Sequence, residues 1–421
     1  MAVIRPFRAV RPFAGFAADI AALPYDVYTR EEARIYAASR PLSFLNIDRP
    51  ETQFSPSFDM YSPEAYEKAR DMIESEVRNG LFITEEKPCY YLYELTMNGR
   101  AQTGLVALSS VDDYLNGVCK KHENTVLEKE QDRINHIDIT SAQTGPIFLA
   151  YRNSPSVNEI VSRIKNDEPV YDFVSDDGIR HRVWVISGDD DVMRLTSLFA
   201  DIPNTYIADG HHRAASAVKV ALKRREAHPG YTGDEEFNYF LSVIFPDDQL
   251  MIMDYNRIVF GLNGHTPEEF MDLIRVHFDI AQIGGAKKPE RKSDISMYLG
   301  SSWYTLTVKE AVRSGRASDP VASLDVSVLQ DLVLADILGI ADPRTDKRIK
   351  FVGGIRGIDI LEKTVREYDS SGGDNAVAFA MFPTSIAELL HVADAGLLMP
   401  PKSTWFEPKL RSGLFIHLIE H

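Results

Sequence analysis

The chain has 421 residues, 44% hydrophobic and 26% charged, with a formal charge of 46 basic minus 62 acidic residues, or −16. That balance suits folded units with sizeable cores and excludes a mainly disordered chain. With no segregated basic face, it also argues against nucleic acid as a partner.

Two cysteines, Cys89 and Cys119, are too few for a disulfide framework or a zinc cluster and read as packing residues. Apolar runs such as residues 376–382 fall far short of the roughly 18 to 20 residues a membrane helix needs, so no membrane partner is expected. Near the start of the chain, Pro6, Pro12 and Asp19 interrupt anything resembling a secretory signal. The expected location is the cytoplasm.

In chain order, the pattern predicts a strand over residues 43–47 and a helix over 63–77 with proline in its first turn. Strands over 90–95 and 104–108 flank Asn98-Gly99, and strands over 170–174 and 181–186 flank Asp177-Gly178; both are hairpin signals. The polar stretch 120–141 lacks apolar periodicity and reads as an exposed loop. A short strand over 205–208 runs into an alanine-rich helix over 211–226, followed by strands over 240–245 and 251–260. Beyond about residue 262, helices over 267–277, 326–338, 359–368 and 385–393 alternate with strands over 303–308, 349–352 and 376–382. The fold class expected is therefore mixed α/β: an N-terminal domain over 1–262 with a mixed sheet and inserted hairpins, then an alternating α/β domain over 263–421.

The junction Asp209-Gly210-His211-His212-Arg213 carries the most chemistry. A strand ends at aspartate, glycine permits a sharp turn, and a helix starts at once, so its first amides have no partners within the helix. Those amides and the positive dipole end attract an anion. His211, His212 and Arg213 add donors, arginine being suited to grip two phosphate oxygens. Asp209 as a plain N-cap is the simpler alternative, although nothing about helix starts calls for paired histidines.

A second group is His122-Glu123-Asn124-Thr125 with Glu128, Glu130, Asp132-Arg133 and His136, where a carboxylate beside a histidine suits a general base. Histidines and acids in both groups are also possible metal ligands, though none has a recognised zinc spacing. Magnesium arriving with a nucleotide, held by one carboxylate such as Asp209 and by phosphates, fits better. Lys402 and Ser403, in a proline-rigidified loop, suit a further anionic group, and Asp26 in Pro24-Tyr25-Asp26-Val27 suits a pocket wall.

These segments, together with Ala142-Gln143-Thr144-Gly145-Pro146-Ile147-Phe148 and residues 399–409, resemble a large bacterial and archaeal family of unassigned function, domain-of-unknown-function family 1015. The Asp-Gly-His-His-Arg turn is also similar, locally, to the phosphate-binding motif of ParB/sulfiredoxin-like free-serine kinases. That resemblance implies a nucleotide-phosphate site at Gly210, His211, His212 and Arg213, with Glu123 as base. In this sequence about two hairpins separate those two segments, which are close in the small kinases.

The expectation is a phosphotransferase using ATP or ADP, with Mg2+, to phosphorylate a small hydroxyl substrate such as free L-serine. Glu123, His211 and His212 would act in catalysis, Asp209 to Arg213 with Lys402 and Ser403 on the nucleotide, and His122, Thr125, Arg133 and Asp26 on the substrate. The alternatives are a non-catalytic nucleotide-binding regulator and a metal-dependent hydrolase.

Overall fold

The computed structural model describes residues 1–125 and 127–420, the side chains of 127–129 excepted. The chain is mixed α/β, with 37% helix and 26% strand. It divides into two compact units, one made of residues 1–121, 125–250 and 408–421, the other of 122–124 and 251–407.

The first unit is built on a nine-stranded sheet. Strands Tyr90–Met97 and Arg100–Ser110 form the expected hairpin, because Asn98 and Gly99 both take positive φ, 51° and 78°, as a tight two-residue turn requires. Tyr171–Val174 and Arg180–Ile186 form the second, with Gly178 at φ 78°. Parallel pairing occurs where Thr205–Asp209 lies beside Cys119–Lys120 and where Tyr239–Pro246 lies beside Ile147–Tyr151. The last residues of Thr205–Asp209 slip register against Ile147–Tyr151, so ladder pairing ends irregularly just before the turn.

Two expectations fail here. Residues 43–47 do not form a strand: Leu45–Asp48 is a short, fully buried helix, with the Asn46 side chain donating to the carbonyls of Arg40 and Ser43, both at 3.0 Å. Nor is 120–141 an exposed loop. Its greater part is the helix Leu127–Thr140, which packs along the helix His211–Ala227 and buries Glu130, Arg133 and His136 at 3%, 6% and 1% exposure. The alanines of His211–Ala227 let it lie close to the sheet, with Ala214, Ala217 and Ala221 in the main core.

The second unit carries a six-stranded sheet in the order Phe278–Ile283, Ser302–Val308, Asp294–Leu299, Ala376–Met381, Tyr255–Phe260, Ile349–Gly353. Its strands and helices alternate along most of the chain, and every pairing is antiparallel. The strands Phe278–Ile283 and Asp294–Leu299 were not anticipated. The segment expected as one helix over 326–338 is an α-helix, Asp325–Leu329, continued by a π-helix, Gln330–Ala335. Among the described residues no helix is long and apolar enough to cross a membrane.

Candidate functional site

The strand Thr205–Asp209 and the helix His211–Ala227 meet at a single residue, Gly210, at φ +95°, a left-handed conformation that strains any other L-residue. No side chain caps the helix start, and its first turn contains no acid. The amide donors and dipole at this end thus face no built-in carboxylate from the helix itself.

Arg213 folds back across the turn. Its Nη1 donates to the Pro146 carbonyl at 2.5 Å, and its Nη2 lies 3.6 Å from Asp209 Oδ2. A Cβ on Gly210 would meet the guanidinium at 3.2 Å, so glycine also makes room for that return. Lys409 Nζ approaches the same Asp209 oxygen at 3.3 Å. Burial tends to raise the Asp209 pKa, yet the cations of Lys409 and Arg213 hold it well below the usual carboxylate range, so it stays ionised.

Beside the turn lies a small cavity of about 30 Å³, room for a water or two. Tyr25, Asp48, Arg133, Thr144, Arg213 and Ser412 are among its walls. Its polar groups are closely organised. The Arg133 guanidinium stacks 3.9 Å from the Tyr25 ring centroid, pairs with Asp132 at 2.8 Å and reaches the Asp48 carbonyl at 3.4 Å. Thr144 donates to Asp48 Oδ1 at 2.7 Å, and Tyr66 donates to Asp132 at 2.9 Å. Tyr25 is pushed up to about 12, chiefly by burial, so its hydroxyl keeps its proton. His136 is driven down by burial and by the Arg133 charge and is a neutral ring whose Nε2 meets the Ile47 carbonyl at 3.1 Å. Its wall carries two guanidinium groups, Arg133 and Arg213, the Asp48 carboxylate and several hydroxyls, and so favours polar contents.

In the first unit the structure thus brings together Tyr25, Arg133, Thr144 and the turn 209–213, which are far apart in the sequence. Asp26, next to Tyr25, is exposed on the 3-10 turn Tyr25–Val27. Thr125 donates to Glu130 at 2.7 Å, and Glu130 also pairs with Lys219, which holds its carboxyl low against the effect of burial.

His122 and Glu123 are counted with the second unit. His122 is 1% exposed, its Nε2 lies 3.4 Å from Thr404 Oγ1, and its carbonyl accepts from the Met399 amide at 2.8 Å. Glu123 is half-buried. In the same unit the Ser403 hydroxyl donates to the Pro400 carbonyl at 2.6 Å, and the Lys402 carbonyl accepts from Arg257 at 3.0 Å. The Glu128 side chain lies outside the described residues.

Sequence reasoning missed Asp48 and gave Lys409 no role at the turn. Nothing near Asp48 in the sequence signals its partner Thr144, 96 positions away.

Among solved structures, the chain is similar to a free serine kinase in complex with AMP, at 14% identity and a TM-score of 0.33, covering 73% of this chain and 91% of that one. It is similar to a conserved hypothetical protein from Pyrococcus furiosus at 12% identity and a TM-score of 0.33, covering 75% and 95%. It is also similar to SbnI with a C-terminal truncation from Staphylococcus aureus, at 12% identity and a TM-score of 0.37, covering 74% and 87%. No curated protein matches. The model of a family described as protein of unknown function, DUF1015, matches residues 4–327, and the chain belongs to that family.

Proposed function

We propose that the protein is a phosphotransferase that holds the phosphates of a nucleotide, ATP or ADP, at the turn 209–213 and moves phosphate to a small hydroxyl substrate such as L-serine. The observation that supports this most is the uncapped helix start at Gly210, flanked by His211, His212 and Arg213 and adjoining a polar cavity walled by Arg133, Tyr25 and Thr144. Phosphoryl transfer depends mainly on positioning and charge neutralisation, which backbone amides, imidazoles and a guanidinium supply. His211 and His212 serve as donors to the transferred group, and Arg133 with Thr125 and Asp26 belongs to the substrate side of the proposal. The local resemblance adds Glu123, with His122 beside it, as the group that takes the hydroxyl proton.

Magnesium, where it takes part, arrives with the nucleotide and is held by its phosphates. The test is transfer of labelled phosphate from ATP, ADP or pyrophosphate to serine and related alcohols, with and without Mg2+. Turnover that falls at least a hundredfold on Glu123→Gln, with nucleotide binding kept, supports the reading. Absence of transfer from every donor overturns it, and binding without turnover marks a nucleotide-binding regulator instead.

A further inference from the structure

A second and larger cavity, of about 560 Å³, opens elsewhere in the first unit. Its size is that of small-molecule sites, roughly 300 to 1,000 Å³. It shares no lining residue with the cavity beside the phosphate turn. The antiparallel bridge between Ala22 and Ser412 lies close to both: Leu23 and Arg411 line the larger cavity, while Pro24 and Ser412 line the smaller.

Arg411, only 3% exposed, lines the larger cavity. Its Nη2 donates to Ser175 Oγ at 3.1 Å and to Asp177 at 2.5 Å, and its Nε donates to His181 Nε2 at 3.4 Å. Its Nη1 has no hydrogen-bond partner among the described residues. Because Arg411 lines the cavity, a ligand there can bring an acceptor to this N-H pair.

The remaining walls divide by chemistry. Tyr28 and Tyr36 have ring centroids 5.2 Å apart, the Arg40 guanidinium lies over the Tyr36 ring at 4.2 Å, and Tyr28 keeps its proton because burial raises its pKa. Asp19 and Asp176 are exposed acids among the lining residues. Among the described residues Asp176 is engaged only by Arg40, at 2.7 Å, in an exposed pair of the kind that contributes little and rearranges easily.

We propose that this cavity binds a free α-amino acid. The carboxylate accepts from Arg411 Nη1 and the Tyr28 hydroxyl, the ammonium meets Asp19 and Asp176, and the side chain lies beside Tyr28 and Tyr36. A ligand with only a negative charge has no ammonium to offer Asp19 and Asp176, and one with only a positive charge brings no acceptor for Arg411 Nη1. The cavity is also large enough for a side chain of aromatic size. This site is separate from the proposed phosphotransferase centre and does not depend on it.

The experiment is calorimetric titration of the full chain with each of the twenty L-amino acids, and with the matching amine and the matching carboxylic acid of any that bind. Asp19→Asn and Tyr36→Ala alter accessible walls of the larger cavity, and Arg213→Ala alters the smaller one. The expected result is binding of at least one amino acid, weakened tenfold or more by loss of either its amino or its carboxylate group. Asp19→Asn and Tyr36→Ala should weaken it to a similar extent, with Arg213→Ala leaving it unchanged. The inference is overturned if no amino acid binds, if the deaminated acid binds equally well, or if binding survives both wall variants and is lost in Arg213→Ala. Binding lost only in Arg213→Ala assigns the amino acid to the site at the phosphate turn, and phosphate transfer from a nucleotide is measured separately.

Discussion

The Arg213 guanidinium stands 3.6 Å from the Asp209 carboxylate four residues before it, and Lys409 reaches the same oxygen at 3.3 Å. An oxyanion arriving at the helix start therefore competes with Asp209 for these cations. Asp209→Asn is expected to tighten phosphate or nucleotide binding severalfold and to lower stability at neutral pH. The pH dependence has a definite sign. The folded carboxyl titrates below its unfolded value of about 3.9, so its contribution is present above that pH and is lost as pH falls toward the folded value. The stability gap between wild type and Asp209→Asn should thus narrow below about pH 4. A gap that widens on acidification would show that the pair does not stabilise the fold.

Gly210→Ala places a Cβ 3.2 Å from the Arg213 guanidinium at a residue whose φ is +95°. The left-handed conformation alone costs a non-glycine residue about 1 to 2 kcal/mol. Urea unfolding should show a loss of at least that size, and nucleotide affinity should fall with it as Arg213 is displaced. An unchanged midpoint and affinity would mean that the turn does not need glycine.

What the sequence disclosed follows from how local each signal is. Asn98-Gly99 and Asp177-Gly178 announced their hairpins because the residues of a tight turn choose its conformation, and Asn98, Gly99 and Gly178 all take positive φ. The turn at Gly210 was legible for the same reason. The helix Leu127–Thr140 was not, because its buried face is polar: Glu130, Arg133 and His136 recur every three residues and are satisfied by Lys219, Asp132 and the Ile47 carbonyl. Apolar periodicity cannot reveal a face of that kind, since partners distant in the chain decide its burial. The helix Leu45–Asp48 misled for the opposite reason, its short apolar run being equally compatible with a strand. Asp48 at its end joins the cavity only through Thr144, which no spacing foretells.

Arg133 is 6% exposed, stacked on Tyr25 and paired with Asp132, itself largely buried. Removing one partner of such a pair leaves the other charge uncompensated, at a cost of roughly 3 to 5 kcal/mol. Arg133→Ala is expected to lose stability on that scale in denaturant unfolding. Arg133→Lys, which keeps the charge but not the planar fork, should lose less. Equal stability of all three forms would remove Arg133 from the framework of the cavity.

Two histidines should make the folded chain sensitive to mild acid. His181 is completely buried, with Nδ1 2.8 Å from the Tyr93 hydroxyl and Nε2 2.9 Å from Ser175 Oγ; burial, followed by the Arg411 charge, brings it down to about 3. His136 is depressed in the same direction, by burial and by Arg133. In the unfolded chain both rings titrate near 6.5, so below that pH the unfolded state binds protons that the folded state refuses. Stability is therefore greatest above about pH 6.5 and falls as the pH drops toward the folded values, by at most about 1.4 kcal/mol per pH unit for each ring. In NMR titration the ring signals of His181 should stay at their neutral positions from pH 8 to 5, and those of His136 should titrate below the range of a free histidine. His181→Gln should flatten the acid limb of the stability curve without removing it, because His136 still contributes. A His181 signal that titrates near pH 6.5 would show that the ring is charged in the fold and that the Arg411 cluster is arranged differently.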